Sequence, residues 1–167
     1  MAASMVGRGW AYMRSRRVGL LLALVVLAMD DVSKEIILHL AYASLLPMWM
    51  VEGQLGFMLG WNRGMSFSLL DGFAYAPHVL AAVAVVAVGW FIHWMVDGHA
   101  RSWHQTGLGL IVGGALGNLV DRIQHGAVVD FIVVNPWGFF PYTFNIADAA
   151  ITVGVALLLL DSYLRRA

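Results

Sequence analysis

Cysteine is absent from all 167 residues, which excludes disulfides, thiol nucleophiles, iron–sulfur clusters and thiolate zinc sites together. Charge is scarce as well. Asp, Glu, Lys and Arg make up 12% of the chain, and ten basic side chains cancel ten acidic ones. No basic run tracks a phosphate backbone, so nothing points to a nucleic-acid partner. The six histidines show no His-Glu-x-x-His or similar ligand spacing, and neither a metal nor another cofactor is expected. What is abundant is apolar: 60% of residues are hydrophobic and the mean hydropathy is +0.76, far from the balance of a soluble domain. The chain reads as an integral membrane protein.

A bilayer core about 30 Å thick is crossed by about 20 mostly apolar helical residues. Four segments reach that length, at about 18–40, 77–96, 103–121 and 144–163. The first must run through Asp30-Asp31-Val32-Ser33-Lys34 and so carries charge near one end. The second is the cleanest, with Trp90 and Trp94 towards its end, where aromatic side chains favour the interface. In the third, Gly109, Gly113 and Gly117 recur every fourth residue, a spacing that lets another helix approach closely. The fourth is apolar after Asp148 and stops at Arg165-Arg166.

Arginines set the expected orientation. Arg8, Arg14, Arg16 and Arg17 precede the first segment, Arg101 separates the second from the third, and Arg165 and Arg166 follow the fourth. The positive-inside rule puts all of these in the cytoplasm, with both termini inside and the connections 41–76 and 122–143 outside. A removable signal peptide is not expected, because the first apolar stretch runs into Asp30 without a small-residue cleavage pattern. The outer connections are not low-complexity linkers. Trp49 to Leu70 is rich in Gly, Met and aromatics, and Val128 to Val134 is β-branched and aromatic with Asn135-Pro136 and Pro141 following, which reads as short strands and turns. The expected fold class is an all-α membrane protein with a small β element, in one domain over residues 1–167. Met48, Trp49, Met50, Phe139 and Phe140 would lie against lipid or an apolar ligand, and simple interfacial packing explains them equally well. Gly53, Gly56 and Gly60 would permit an outer loop to move.

Three carboxylates, Asp121, Asp130 and Asp148, gather at the outer junction of the last two segments. An ionised side chain at the centre of a membrane helix costs about 2.5 to 3.5 kcal/mol, so acids near a bilayer are functional candidates. Asn118 lies three residues before Asp121 and Asn145 three before Asp148, so in helices each pair shares a face. The asparagines serve equally as helix caps or interhelical donors. Asp121 beside Arg122 reads first as a structural ion pair, and so does Asp30 with Lys34 four residues on. Arg63, Glu52 and Asp71 read as solvated loop charges.

Taken in order, Asp30-x-x-Ser33-Lys34, Asn62-x-Gly64-x-Ser66-Phe67, Gly114-Ala115-x-Gly117-Asn118-x-x-Asp121-Arg122, Val128-Val129-Asp130-Phe131 and Phe144-Asn145-x-Ala147-Asp148 resemble the signature blocks of bacterial lipoprotein signal peptidase, signal peptidase II. The resemblance implies four transmembrane helices with an extracytoplasmic β-cradle in the bacterial inner membrane. It implies an aspartyl endopeptidase that cuts diacylglyceryl-modified prolipoproteins before the lipidated cysteine. On it, Asp130 and Asp148 match the catalytic dyad. Asn118, Asp121 and Arg122 match a supporting set, Asn62 and Asn145 match polar groups lining the site, and Asp30 with Lys34 matches a structural pair. The implied partners are a lipidated prolipoprotein, membrane lipids and cyclic peptide inhibitors of the globomycin type, bound by a monomer. Two positions depart from the pattern: Asp31 stands where glutamine is usual, and Met65 where a smaller residue is common.

Peptide hydrolysis without a nucleophilic side chain or metal needs an activated water and an acid for the leaving amine. Two carboxylates sharing a proton supply both, because proximity raises one pKa and the pair titrates as a unit. One of Asp130 and Asp148 is expected to be ionised and to activate water while the other polarises the scissile carbonyl, with the assignment left open. A serine–lysine peptidase is the nearest rival, from Ser33 and Lys34, but adjacent helical residues point about 100° apart. A small transporter is the other, and against it the acids cluster at one face without a domain repeat.

Overall fold

The computed structural model describes residues 2–64, 75–97, 102–135, 137–138 and 142–164. Among the described residues four helices, α1 (Ala2–Tyr42), α2 (Ala76–Asp97), α3 (Ser102–His125) and α4 (Ile146–Leu164), enclose the core. Four strands, β1 (Met48–Val51), β2 (Leu55–Asn62), β3 (Val128–Val134) and β4 (Tyr142–Phe144), form one antiparallel sheet in the order β1-β2-β3-β4. The first helix starts well before the expected residue 18. Apolar length fixes where a helix could enter a bilayer, but no proline stands before Val18 to stop the helix itself.

Helix α1 is turned inside out relative to a water-soluble helix. Its buried stripe is Gly19, Ala23, Val26, Asp30, Lys34 and Ile37, while Leu20, Leu21, Leu24, Val25, Met29, Val32 and Ile36 face outward. The steps of three and four mark a single helical face. In water that arrangement would expose a large apolar patch. Surrounded by hydrocarbon, it instead shields the polar groups. Helix α2 likewise exposes Val79, Val83, Val86, Trp90 and Trp94. Among the described residues, two helices are long and apolar enough to cross a membrane, over His78–Val96 and Ile146–Leu164. Helices α1 and α3 are more polar, through the inward-facing Asp30, Lys34, Gln105, Asn118 and Asp121 and, on α1, the exposed Asp31 and Glu35 as well.

Helix α3 is the centre of the bundle and packs on each of the other three. Its glycine stripe meets α1. A β-carbon at Gly113 would stand 2.6 Å from the carbonyl oxygen of Ala23 and 2.8 Å from the Val26 side chain, and Gly109 and Gly117 back onto Gly19 and Asp30 in the same way. The opposite face uses Gly107 and Gly114 against Gly154 and Ala147 of α4. Small residues thus bring three backbones into contact, as helix association in lipid favours. The α2–α3 contact is a side-chain layer instead, built on Val88, Met95, Leu108 and Val112.

The sheet rests on the end of α1 through Ile37, Leu38, Val129 and Phe131, with Phe57 and Ile146 packed around them. Strand β2 carries an extra residue where the register passes from Phe57↔Ile132 to Gly60↔Asp130. Of the three glycines that seemed free to move, Gly53 occupies the turn with φ 67°, but Gly56 lies against Met48 and Trp49 and Gly60 against the Asp130 backbone. Packing accounts for those two. Met48 and Met50 are exposed, whereas Phe139 and Phe140 lie outside the described residues, as do Met65, Ser66, Phe67, Asp71 and Arg101.

Candidate active site

Asp130 is the third residue of β3, and the pleat sends its side chain to the same face as Val128. Asn62 pairs with Val128 across the ladder, so it sits diagonally from Asp130 and donates from Nδ2 to its Oδ2 at 3.0 Å. Directly opposite Asp130 is Gly60, where a β-carbon would come within 3.2 Å of the Asp130 carbonyl oxygen.

Asn145 ends the β4 connection and caps α4. Its Oδ1 accepts the backbone N–H of Asp148 at 2.9 Å, the usual N-cap bond to the third helical residue. The same side chain donates from Nδ2 to Asp130 Oδ1 at 2.8 Å, so one amide joins the strand acid to the helix acid's backbone. The Asp148 carboxylate sits in the first turn of α4, where the helix dipole favours negative charge.

Helix α3 contributes the next layer. Asn118 donates from Nδ2 to Asp148 Oδ1 at 2.8 Å, and its Oδ1 faces Asn145 Nδ2 at 3.2 Å and Lys34 Nζ at 3.3 Å. Lys34 also reaches Asp30 Oδ2 at 2.5 Å and Asp121 Oδ2 at 2.8 Å. Asp121 accepts the Val129 backbone N–H at 2.9 Å, tying α3 to β3. Asp30 accepts the Ala147 N–H at 2.8 Å, satisfying an orphan donor in the first turn of α4. Five elements, α1, β2, α3, β3 and α4, therefore converge on one polar cluster.

That cluster corrects the expected pairing of Asp121 with Arg122. The partner of Asp121 is Lys34 of α1, while Arg122 donates from Nη1 to the carbonyl of Asn118 at 3.1 Å. Successive helical side chains diverge by about 100°, so Asp121 turns inward to α1 and Arg122 cannot follow it. Asp121, Asp130 and Asp148 still act on the Arg122 charge electrostatically, and its Nε is buried without a partner among the described residues. The expected pair of Asp30 with Lys34 is present.

Burial holds the Asp130 carboxyl well above its ordinary value of 3.8, at about 6, and the neighbouring charge of Asp148 adds to the rise. The Asn62 and Asn145 hydrogen bonds and the Lys34 charge oppose it. Asp130 is 4% exposed and Asp148 is half-buried, so the two acids differ in environment as well as in donors. Such a pair can hold one proton and one charge at the same pH. Among the described residues no group of three or more His, Asp or Glu side chains could hold a metal ion.

The nine residues that the resemblance assigned to the site, Asp30, Lys34, Asn62, Asn118, Asp121, Arg122, Asp130, Asn145 and Asp148, all lie in this network. Asp161 was missed. It is buried near the far end of α4, with Oδ2 3.7 Å from Nδ1 of His104. Its signal was available: a lone acid following the apolar run Ala156 to Leu160.

Comparison with known proteins gives the class to which this fold belongs, a membrane peptidase of the aspartic type. The family model of signal peptidase (SPase) II matches residues 22–164. A lipoprotein signal peptidase of Methylorubrum extorquens is 41% identical over 157 residues, covering 90% of this chain and 88% of that protein. One from Caulobacter vibrioides is 41% identical over 144 residues, covering 86% and 84%. Two solved structures, both described as bacterial membrane enzyme structures obtained by the in meso method, align with TM-scores of 0.75 and 0.71. Their sequence identities are 27% and 28%, and they cover 89% and 86% of this chain, with 89% and 90% of their own lengths. The chain belongs to the signal peptidase II family, the lipoprotein signal peptidases.

Proposed function

We propose that Asp130 and Asp148 are the catalytic dyad of an endopeptidase that removes the signal peptide from diacylglyceryl-modified prolipoproteins, cutting before the lipidated cysteine. The observation that carries the reading is the asparagine bridge, in which Asn145 holds Asp130 through Nδ2 and the Asp148 backbone through Oδ1. It brings together two acids separated in sequence by a whole outer segment. One carboxylate, ionised, takes a proton from water as that water attacks the scissile carbonyl. The other, protonated, polarises the carbonyl oxygen, and the proton gained by the first passes to the leaving amine. Asn62 and Asn118 hold the acids, and Arg122 with the asparagines satisfies peptide groups whose desolvation would otherwise cost about 1 to 3 kcal/mol each.

All four helices span the membrane in this reading, with both termini in the cytoplasm and the sheet as an outer cradle. The inside-out surface of α1 supports it, because lipid is the environment in which exposed Leu and Val with buried Asp and Lys is stable. A site under the sheet suits a substrate whose peptide is aqueous while its acyl chains stay in lipid. The enzyme acts as a monomer, and cyclic peptides of the globomycin type occupy the same site.

The test is cleavage of a lipidated prolipoprotein by the purified chain and by Asp130→Asn and Asp148→Asn variants. Both variants should fold and lose at least about 1,000-fold in turnover, as loss of an essential acid–base group does. Near wild-type turnover in either would sink the dyad.

A further inference from the structure

Every hydrogen of the Lys34 ammonium has an acceptor, and only one of the three acceptors touches the site. Two are carboxylate oxygens, of Asp30 at 2.5 Å and Asp121 at 2.8 Å. The third is the side-chain oxygen of Asn118 at 3.3 Å. An ammonium has donors only, so it admits a single orientation of that amide, with oxygen towards Lys34 and nitrogen towards Asp148. The flipped amide would set its N–H groups against the cation and its oxygen against the Asp148 carboxylate.

Asn145 cannot impose this orientation unaided. Its Nδ2 has two hydrogens and three acceptors in range: Asp130 Oδ1 at 2.8 Å, Asn118 Oδ1 at 3.2 Å and the Val129 carbonyl at 3.2 Å. Whatever Asn145 gives to Asn118 it withholds from Asp130 or Val129. A second donor at Asn118 Oδ1 removes that competition.

We infer that Lys34, beyond its ion pairs, is a positioning residue for catalysis: it fixes the direction of the Asn118 and Asn145 amides so that both donate towards the two aspartates. Lys34 lies behind Asn118, bonded to Asp30, Asp121 and Asn118, and makes no direct hydrogen bond to Asp130 or Asp148. It acts on Asp148 through one amide and on Asp130 through two. It also places a positive charge behind the pair, which opposes the rise in the Asp130 pKa. The described charged groups around the pair are Asp30 and Lys34 from α1 and Asp121 and Arg122 from α3, with neutral Asn62 from β2.

Replacing Lys34 alone would leave two buried carboxylates facing each other, so the informative variant is Lys34→Met/Asp30→Asn. It removes one charge of each sign, and the asparagine oxygen can still accept the Ala147 N–H. Per folded molecule, kcat on a lipidated prolipoprotein should fall about 10- to 100-fold, as the loss of a hydrogen bond to a charged group implies. KM should change little, and the pH profile should move to higher pH, because Asp130 loses both the aligned amide donor and the Lys34 charge that oppose the rise in its pKa. Asp121→Asn is the counter-test. It keeps the amine and removes a negative charge, so its profile should move to lower pH.

Opposite shifts in the two variants support the inference. Unchanged profiles, shifts of the same sign, or a loss confined to KM or to the folded fraction would overturn it. If the double variant fails to fold, the direction of the Asp121→Asn shift decides alone. The inference rests on the two-aspartate reading, and the failures are separable. Active Asp130→Asn or Asp148→Asn enzyme refutes the dyad, whereas inactive dyad variants with unmoved profiles in the others refute only the role of Lys34.

Discussion

Asn145 donates to the carboxylate of Asp130 at 2.8 Å with the nitrogen of an amide whose oxygen, 2.9 Å from the Asp148 N–H, caps α4. Folding and the proposed chemistry meet in that one side chain. Asn145→Ala should therefore lose stability by about 1 to 3 kcal/mol from the missing cap and the stranded donors and acceptors. Turnover per folded molecule should fall about 10- to 100-fold as well. Thermal unfolding in detergent together with active-site titration separates the two. A lower melting temperature with unchanged turnover would reduce Asn145 to a cap.

The raised Asp130 pKa makes a signed prediction. Unfolded, this carboxyl titrates near 3.8, and folded it titrates at about 6. Between those values the native state binds more protons than the unfolded state, so stability falls as pH rises through the window. Below it the contribution is absent, and above it the full penalty applies. The stability of Asp130→Asn relative to wild type should accordingly improve from pH 4 to pH 7, followed by chemical denaturation at each pH. A difference independent of pH would show that the carboxyl is not raised.

Cleavage should carry the same signature. A pair active with one shared proton loses activity on either side, and its upper limb should lie near pH 6, belonging to the pair rather than to one residue. The pH dependence of kcat in saturating substrate measures it. In the Asp148→Asn variant, Asp130 loses a charged neighbour, so a titration of Asp130 followed by infrared carboxyl bands should move downward.

Two glycine substitutions should behave in opposite ways. Gly113→Val forces atoms into the Ala23 backbone and should destabilise by about 1 to 3 kcal/mol or more, because neither backbone can yield. Gly89 in α2 has nothing within 4 Å of an added β-carbon. Gly89→Ala should be neutral or stabilising by up to about 1 kcal/mol, as expected for helix propensity alone. Melting temperatures of the purified variants in one detergent provide the comparison.

Ser33→Ala should retain most activity. The Ser33 hydroxyl donates to the Asp30 carbonyl at 2.8 Å within its own helix, while Lys34 is occupied by Asp30, Asp121 and Asn118. No base–nucleophile contact joins the pair. Near-complete loss of cleavage by a well-folded Ser33→Ala protein would revive the serine–lysine mechanism.

The helices and strands were legible because their signals are local. Apolar runs, the four-residue glycine repeat and the β-branched stretch at Val128 each depend on neighbours in sequence. The shared helical face of Asn118 and Asp121 was legible too, and Lys34 reaches both. What spacing could not reveal is the exchange of partners across elements. Asn118 serves Asp148 and Asn145 serves Asp130, each supporting the acid beyond its own motif. Asp121 was misread for the same reason. Adjacency to Arg122 is visible in a sequence, whereas an ion pair with Lys34, 87 positions away, depends on α1 packing against the glycine stripe of α3.

The double duty of Asn145 and Asp30 also limits how far these two positions can change. Both bond to the first turn of α4, so a substitution there that evades an inhibitor also loosens the start of that helix. Escape routes through these positions are narrow. An inhibitor that draws its affinity from contacts with Asn145 would meet a target with little room to change.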